Sequence, residues 1–585
     1  MPPSQAANAD GAQAPDHPGT PPAAQDDAAN GADTVIQILR RQGVETVFGY
    51  PGGAIMPLYD ALARQPGALK HVLTRHEQAA GFAANGFARS SGQLGVCIAT
   101  SGPGATNLIT AIADAYMDSV PLLVITGQVP TGLMGTDAFQ ETDVLGLTLP
   151  ITKHSYLVRR VEDLPAILEE AIHLAQEGRP GPVWVDIPKD VQLAPLPAAK
   201  PMAPGEAAIA DDVPGLDDMG LAQARALLAE AAQPIIYAGG GVVLAEAVEA
   251  FRGFVETTGA PVVTTLKGLG LLAADHPLNM GMLGMHGAPC ANRAVQACDL
   301  LVVVGARFDD RATGRLADFA PHARVVHLDV DAAEVSKLRP PQVSLLGDLN
   351  RLLPALATPL STEAWRAHCA ELRRMGDFRL PPEKGDAFPA LRFLRRLSEQ
   401  ADAHTHIACD VGQHQMWVAQ FYGFPHPRRH LTSGGLGAMG FGLPVAIGAQ
   451  MAHPGAQVIN ISGDGSFMMN VQELATLRRY NLPVKMVIFD NQYLGMVRQQ
   501  QELFYEGRLA EVDLSDNPDF VQVAQAFGIP ALRIEGVDAV DAAIEACLET
   551  QGPLLLHIPV AREQNVWPIV GPGMSNDQMI EEDVA

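Results

Sequence analysis

The chain has 585 residues, with 40 Lys and Arg against 65 Asp and Glu, for a formal net charge of −25. That length leaves room for several domains, and that charge argues against nucleic acid or an anionic membrane surface as a partner. With 47% hydrophobic residues and no uninterrupted apolar run of the roughly 18 residues a span needs, globular cores are expected and a membrane segment is not.

Residues 1–30 are rich in Ala, Pro, Asp and Gly, without arginine or an apolar core, and read as a disordered tail rather than a secretory or transit signal. From about residue 32, the apolar runs VETVFG, LKHVLT, LGVCIAT, PLLVITG and PVWVDIP alternate with helical stretches such as 77–89 and 104–116. This marks a first domain over 31–195. A polar stretch rich in Pro and Ala breaks the pattern at 192–215. PIIYAGGG, PVVTTL, LLVVVG, ARVVHLDV and VSLLGD then resume it as a second domain over 215–355. After a second break near 355–390, around LPPEKGD, the runs HIACDVG, AQVINISGDG, VKMVIFDN and LLLHIPV form a third, 390–575. Short runs rich in Val and Ile suit strands covered on both faces. The expected fold class is therefore α/β, with three doubly wound parallel sheets. TSGPGATN (100–107) and TSGGLGAMG (432–440) share a local theme that suggests related architecture in the first and third domains. The six cysteines (97, 290, 298, 369, 409, 547) show no metal-type spacing and are expected as buried free thiols, in keeping with a reducing cytoplasm.

Ligands of open parallel sheets bind beyond the carboxyl ends of the strands, which draws attention to the glycine-rich ends GYPGG, TSGPG, YAGGG, VVGARFDD and SGDGS. In SGDGS, Asp464 follows an apolar run, where an isolated charge is costly. It either caps the next helix or holds a metal. Asn491 lies 27 residues on, at the end of VKMVIFD, so both side chains would sit at strand ends of one sheet. Two oxygen donors of this kind suit Mg²⁺, which takes few protein ligands and completes its shell with phosphate and water. Gly465 and Ser466 would then offer backbone N–H groups to the same phosphates. A capping Asp and a turn Asn are the plainer alternative. GLGAMG (435–440) satisfies GxGxxG, but no good apolar strand precedes it, so a dinucleotide reading there is poor.

GDGS followed by DNQ at this interval resembles the thiamin diphosphate signature. From about residue 32 nearly the whole chain is similar to that enzyme family, through GYPGGAIMPLYDAL, RHEQAAGFAANGFAR, TSGPGATN, RPGPVWVDIPKD, GMHG, DVGQHQMW and TSGGLGAMGFGLPVAIGAQ. GTDAFQET, RFDDR and LGMVRQ are more specific, and resemble the acetohydroxyacid synthase (acetolactate synthase) catalytic subunits. The resemblance implies that Glu77 is the glutamate that activates the cofactor's pyrimidine ring. Gln413, His414, Gly465 and Ser466 match diphosphate contacts. Asp464, Asn491 and the Tyr493 carbonyl match Mg²⁺ ligands. Met439 matches the residue that keeps the cofactor bent, while Gly437 and Met496 match pyrimidine contacts. Arg179, Gly239, Gly240, Gly241, Thr265, Leu266, Met285, His286, Arg307, Asp329 and Asp348 match an FAD site. Arg311 matches the arginine for the second substrate's carboxylate, with Gln140, Lys189 and Phe139 as further pocket residues. A planar guanidinium suits that carboxylate, and pairing of Arg311 with Asp309 or Asp310 is the plainer alternative.

The same resemblance implies decarboxylation of pyruvate and transfer of the two-carbon unit to pyruvate or 2-ketobutyrate, in branched-chain amino acid biosynthesis. It also implies a homodimer or tetramer with the active site at the subunit interface, and a small regulatory subunit as a possible partner. A pyruvate oxidase or decarboxylase is the alternative; a glyoxylate carboligase lacks the glutamate. The sequence departs from the pattern at Gln500, where the family has Trp, at Gly132, where many relatives have Arg, and at Asp490, which replaces the first Asn of a common pair. Gln500 in that place implies weaker discrimination for 2-ketobutyrate and lower herbicide sensitivity.

Overall fold

The computed structural model describes residues 29–196, 216–382 and 385–582. The tail expected over 1–30 lies outside these residues, except for its last two. Asn30 is ordered as the N-cap of the helix Gly31–Arg41, with a reciprocal capping box to Asp33.

The described chain forms three six-stranded sheets. The first contains β1 (Thr46–Gly49), β2 (Lys70–Leu73), β3 (Gly95–Ala99), β4 (Leu122–Gln128), β5 (His154–Leu157) and β6 (Pro182–Pro188). The second contains β7 (Pro234–Ala238), β8 (Val262–Thr264), β9 (Asn279–Met282), β10 (Leu300–Val304), β11 (Arg324–Asp329) and β12 (Val343–Leu346). The third contains β13 (His406–Cys409), β14 (His430–Thr432), β15 (Val458–Gly463), β16 (Lys485–Asp490), β17 (Ala531–Arg533) and β18 (Leu554–Pro559). All strand pairs within the sheets are parallel.

Numbered from its own first strand, the first sheet runs 2-1-3-4-6-5 and the third runs 2-1-3-4-6-5. The shared theme of TSGPGATN and TSGGLGAMG thus reflects a shared topology. The middle sheet differs. Its order is 6-5-4-1-2-3, the dinucleotide-binding arrangement, which reverses direction between β7 and β10.

The structure departs from the sequence pattern in two places. The second break, near 355–390, contains a 14-residue helix, Glu363–Gly376. Its Trp365 indole donates to the Pro234 carbonyl at 3.0 Å, so it belongs to the middle domain. A short strand, β14, does precede GLGAMG, but the sheet it joins lacks the dinucleotide-binding order.

The N- and C-terminal domains share a core. The helices Glu77–Ser91 and Gly442–Ala452 are buried on nearly every face, which is what a helix apolar all round requires. Two glycines allow their contact: a Cβ on Gly86 would fall on the Val445 carbonyl, and one on Gly448 on the Ala83 carbonyl. Phe82 and Phe441 meet edge to face across the same seam, with ring centroids 5.4 Å apart. All six cysteines are buried and free. Among the described residues no helix is long and apolar enough to cross a membrane.

Candidate active site at the carboxyl ends of three sheets

In the third sheet, β15 and β16 are neighbours, with Gly463 in register with Phe489. Asp464 and Asn491 follow them directly, so the two sit side by side at adjacent strand ends. Asp464 is 2% exposed and accepts a hydrogen bond from the Asn517 amide at 2.9 Å. Burial, with Asp490 facing it, pushes its carboxyl up to about 8. Among the described residues no lysine or arginine forms an ion pair with it. A buried carboxylate left without a cation fits a metal ligand. The donor set is lean: no group of three or more His, Cys, Asp or Glu among the described residues could hold a metal. One carboxylate, one amide and one carbonyl make a site only when phosphate oxygens or waters complete the shell.

Asn491 is already oriented. Its amide donates to Gln413 Oε1 at 3.0 Å and its own oxygen accepts the Tyr493 N–H at 3.1 Å. Gly495 closes this corner, since a Cβ there would fall on Gln413 Oε1. Gln413 also donates to Gln499 at 3.2 Å and to Asn565 at 3.4 Å. His414 is buried and pushed down to about 3, so its imidazole is neutral, and Nε2 accepts the Gly463 N–H at 3.2 Å. Ser466 Oγ bonds back to Gly463 at 3.2 Å. A Cβ on Gly465 would lie 3.9 Å from Met439 Cε, which brings the GLGAMG segment over this corner. Gly437 has a φ of +68°, a left-handed conformation that favours glycine. Met496 is half-buried beside this domain's core.

In the first sheet Glu77 opens the helix that follows β2, and its Oε2 accepts from the Asn107 amide at 2.9 Å. The turn carrying Glu77 is held by the C-terminal domain. Tyr480 Oη accepts the Leu73 N–H at 2.8 Å, Glu473 accepts the Arg75 N–H at 2.9 Å, and Asn470 donates to Gln78 at 3.2 Å. Burial pushes Glu473 up to about 7. Gln140 packs its backbone against Gly102 and has a φ of +62°. Lys189 starts the short helix after β6 and is half-buried. Phe139 is 88% exposed, Gln500 is exposed, and a Cβ on Gly132 would meet no atom within 4 Å.

In the middle sheet β7 and β10 stay paired to their ends, Ala238 beside Val304, and the strand order reverses between them at the topological switch. A Cβ on Gly239 would lie 2.5 Å from the Gly305 carbonyl oxygen, and one on Gly241 2.6 Å from Gly305 Cα, so only glycines bring these two strand ends together. Thr265 donates its N–H to Ala238 at 2.9 Å, and its buried hydroxyl has no partner among the described residues. Asp329 ends β11 and accepts the Asp331 N–H at 2.9 Å; Asp348 caps the helix Leu349–Leu356. Arg179 reaches across from the N-terminal domain to Asp331 at 3.1 Å and Glu334 at 2.7 Å. Arg307 is half-buried, and its carbonyl accepts from Tyr237 at 2.8 Å. His286 is buried and pushed down to about 4, with Nδ1 3.0 Å from the Pro568 carbonyl. An orphaned hydroxyl and a glycine-lined switch point fit a dinucleotide. Leu266 follows Thr265 on the same turn.

Among the described residues Arg311 pairs only with Asp310, at 3.5 Å, both side chains well exposed; Asp309 instead caps the helix Asp310–Thr313. An exposed pair of this kind holds the guanidinium weakly. The Met285 N–H donates to the Arg311 carbonyl at 2.8 Å, which ties the arginine to GMHG.

The structure thus gathers Asp464, Asn491, Gln413, His414, Gly465 and Met439 at one corner, and the Gly239–Gly241, Thr265 and Leu266 turn at another. No hydrogen bond or ion pair among the described residues joins Glu77 to the first group. Asn107 and Glu473 were not singled out from sequence. Asn107 ends the motif TSGPGATN, whereas nothing local marks Glu473.

Three family models match the chain: the thiamine pyrophosphate enzyme N-terminal TPP binding domain at 29–147, the central domain at 221–356 and the C-terminal TPP binding domain at 410–558. The chain is 55% identical to the acetolactate synthase isozyme 2 large subunit of Escherichia coli K12, over 94% of this chain and 100% of that one. It is 47% identical to the chloroplastic acetolactate synthase 1 of Oryza sativa subsp. japonica, over 94% and 87%. Against a probable acetolactate synthase large subunit of Methanocaldococcus jannaschii it is 45% identical, over 93% and 94%.

Proposed function

We propose, from the premise that this chain belongs to the acetolactate synthase large-subunit family of thiamine pyrophosphate enzymes, that it is the catalytic subunit that converts two 2-ketoacids into an acetohydroxyacid and CO₂. Pyruvate is the donor, and pyruvate or 2-ketobutyrate the acceptor. The observation that carries this reading is Asp464, buried beside the oriented amide of Asn491 with no lysine or arginine paired to it among the described residues.

Thiamin diphosphate would supply the carbon nucleophile for decarboxylation. Asp464, Asn491 and the Tyr493 carbonyl would hold Mg²⁺ against its diphosphate, with Gln413, His414, Gly465 and Ser466 around the phosphates. Gly437, Met439 and Met496 would take the pyrimidine. Glu77 would exchange a proton with the pyrimidine ring, and the Asn107 amide on Oε2 leaves Oε1 for that proton. Arg311, weakly held by Asp310, is free to turn its fork to the acceptor's carboxylate. Phe139, Gln140, Lys189 and Gln500 would line the acceptor side. FAD would lie across the β7/β10 switch, on Gly239, Gly240, Gly241, Thr265 and Leu266, with Arg179, Met285, His286, Arg307, Asp329 and Asp348 around it.

Among the described residues no hydrogen bond or ion pair joins Glu77 to the diphosphate corner of its own chain, and Phe139 is a bare ring in water. Both support a second copy completing the site, as a homodimer or tetramer. The relatives named large subunits support a small partner subunit, and the acidic surface with free thiols supports a cytoplasmic location.

The test incubates purified protein with pyruvate, Mg²⁺ and thiamin diphosphate, with and without FAD, and quantifies acetolactate, acetaldehyde and oxygen uptake. FAD-dependent acetolactate is expected to dominate. Dominant acetaldehyde would make the enzyme a decarboxylase, and oxygen consumption an oxidase.

A further inference from the structure

Lys267 follows Thr265 and Leu266, but its side chain leaves the middle domain. The stem passes Gly240, where a Cβ would lie 3.1 Å from Lys267 Cβ, and then Gly434, where a Cβ would lie 2.8 Å from Lys267 Cδ. Its ammonium donates to the Thr432 carbonyl at 3.1 Å and lies 3.7 Å from Asp118 Oδ2. Asp118, from the N-terminal domain, accepts the Gly434 N–H at 2.9 Å and the Gly435 N–H at 2.8 Å. Arg89 completes the knot, donating to Asp118 at 2.7 Å, Asp114 at 2.9 Å and the Thr432 carbonyl at 3.3 Å. Asp114 accepts the Ser433 hydroxyl, which itself accepts the Ala438 N–H at 2.9 Å.

Three domains therefore meet on residues 432–438, the approach to Met439. The far end of that segment is held by Asp410, which accepts the N–H groups of Gly440 and Gly442, each at 3.0 Å. The side chains of Arg89, Asp114 and Asp118 are 6%, 0% and 2% exposed, and that of Lys267 is 26% exposed. Burial, and the Arg89 charge, pull the Lys267 ammonium down to about 8. Apolar side chains would hold domains together as well as buried charges do, so such a network is better explained by the geometry it fixes.

We propose that Lys267 is a positioning residue that couples the middle-domain nucleotide site to the 433–440 segment, so that FAD and thiamin diphosphate favour each other's binding. The proposal rests on the cofactor assignments above. A ligand seated on Thr265 and Leu266 fixes the turn from which Lys267 extends. Lys267 and Asp118 in turn fix residues 432–435, so the second ligand has less ordering left to impose. The coupling is reciprocal: FAD must tighten as much on adding thiamin diphosphate.

The test measures the thiamin diphosphate dissociation constant of the apoprotein in Mg²⁺ by calorimetry, with and without saturating FAD. In the unaltered protein FAD should tighten thiamin diphosphate by about 5- to 50-fold. Lys267→Met should bind FAD within about twofold yet reduce that factor to near one, and Lys267→Arg should restore part of it. Amide exchange at 432–438 should also slow in the unaltered protein on FAD alone, a measurement that stands if Lys267→Met does not fold. Bound flavin with no effect on the thiamin diphosphate constant, an undiminished factor in Lys267→Met, or unchanged exchange each overturns the coupling. A protein that takes up no flavin removes the middle-domain assignment and the coupling with it.

Discussion

Glu77 shows how little of a catalytic group lies in its own identity. A glutamate opening a helix is ordinarily a favourable charge at the positive end of the dipole. What sets this one apart is its strand-end position and the Asn107 amide on Oε2. Glu77→Gln should lower turnover by at least ~100-fold with an unchanged melting temperature, read by steady-state kinetics and thermal unfolding side by side. Near-normal turnover would refute the role. Gln500 carries the other residue-scale prediction. Its exposed position leaves room for a larger ring, and Gln500→Trp should raise the preference for 2-ketobutyrate over pyruvate by about tenfold, measured as the product ratio with both ketoacids present. The motif residues were legible in the sequence. Their partners Glu473 and Asn565 were not, and Asn107 was legible only as part of TSGPGATN, because a partner is chosen by proximity in space.

Among the elements, the strands that sequence reading missed are β5, β9, β14 and β17, and every one is a sheet edge. Central strands are covered on both faces and so read as runs of Val and Ile. An edge strand such as HSYL or ALR is half in water and looks like a loop. The helix pair 77–91 and 442–452 is the element on which the site depends most, because it joins the sheet carrying Glu77 to the sheet carrying Asp464. Gly448→Ala would place a methyl on the Ala83 carbonyl. Such overpacking should cost about 1–3 kcal/mol, visible as a lower denaturant midpoint with an unchanged slope. A neutral result would mean that the helices separate without loss.

At the scale of the molecule, buried carboxylates give folding a pH dependence. Asp186 is 2% exposed and accepts from Thr126 at 2.7 Å and Gln128 at 2.9 Å, yet burial pushes it up to about 7. In the unfolded chain an Asp titrates near 4. The folded state therefore binds this proton more tightly, and the stability it contributes, full below about pH 4, is lost as pH rises through 7. Asp186→Asn should flatten the slope of unfolding free energy against pH between 5 and 7 by up to about 1.4 kcal/mol per unit, measured by chemical denaturation. An unchanged slope would mean that Asp186 stays ionised throughout. By itself the sequence determined the α/β class, the rhythm of three domains, the glycine-rich strand ends and the family's motifs. Each of these is a local pattern of hydrophobicity or residue type. Only the tertiary structure decided that the outer two sheets share one strand order while the middle sheet has another, that a helix fills the second break, and that Lys267 crosses from one domain to a knot made by the other two. Strand order and buried charge networks depend on which distant segments meet, and folding settles that by packing whole elements rather than by any stretch of chain alone.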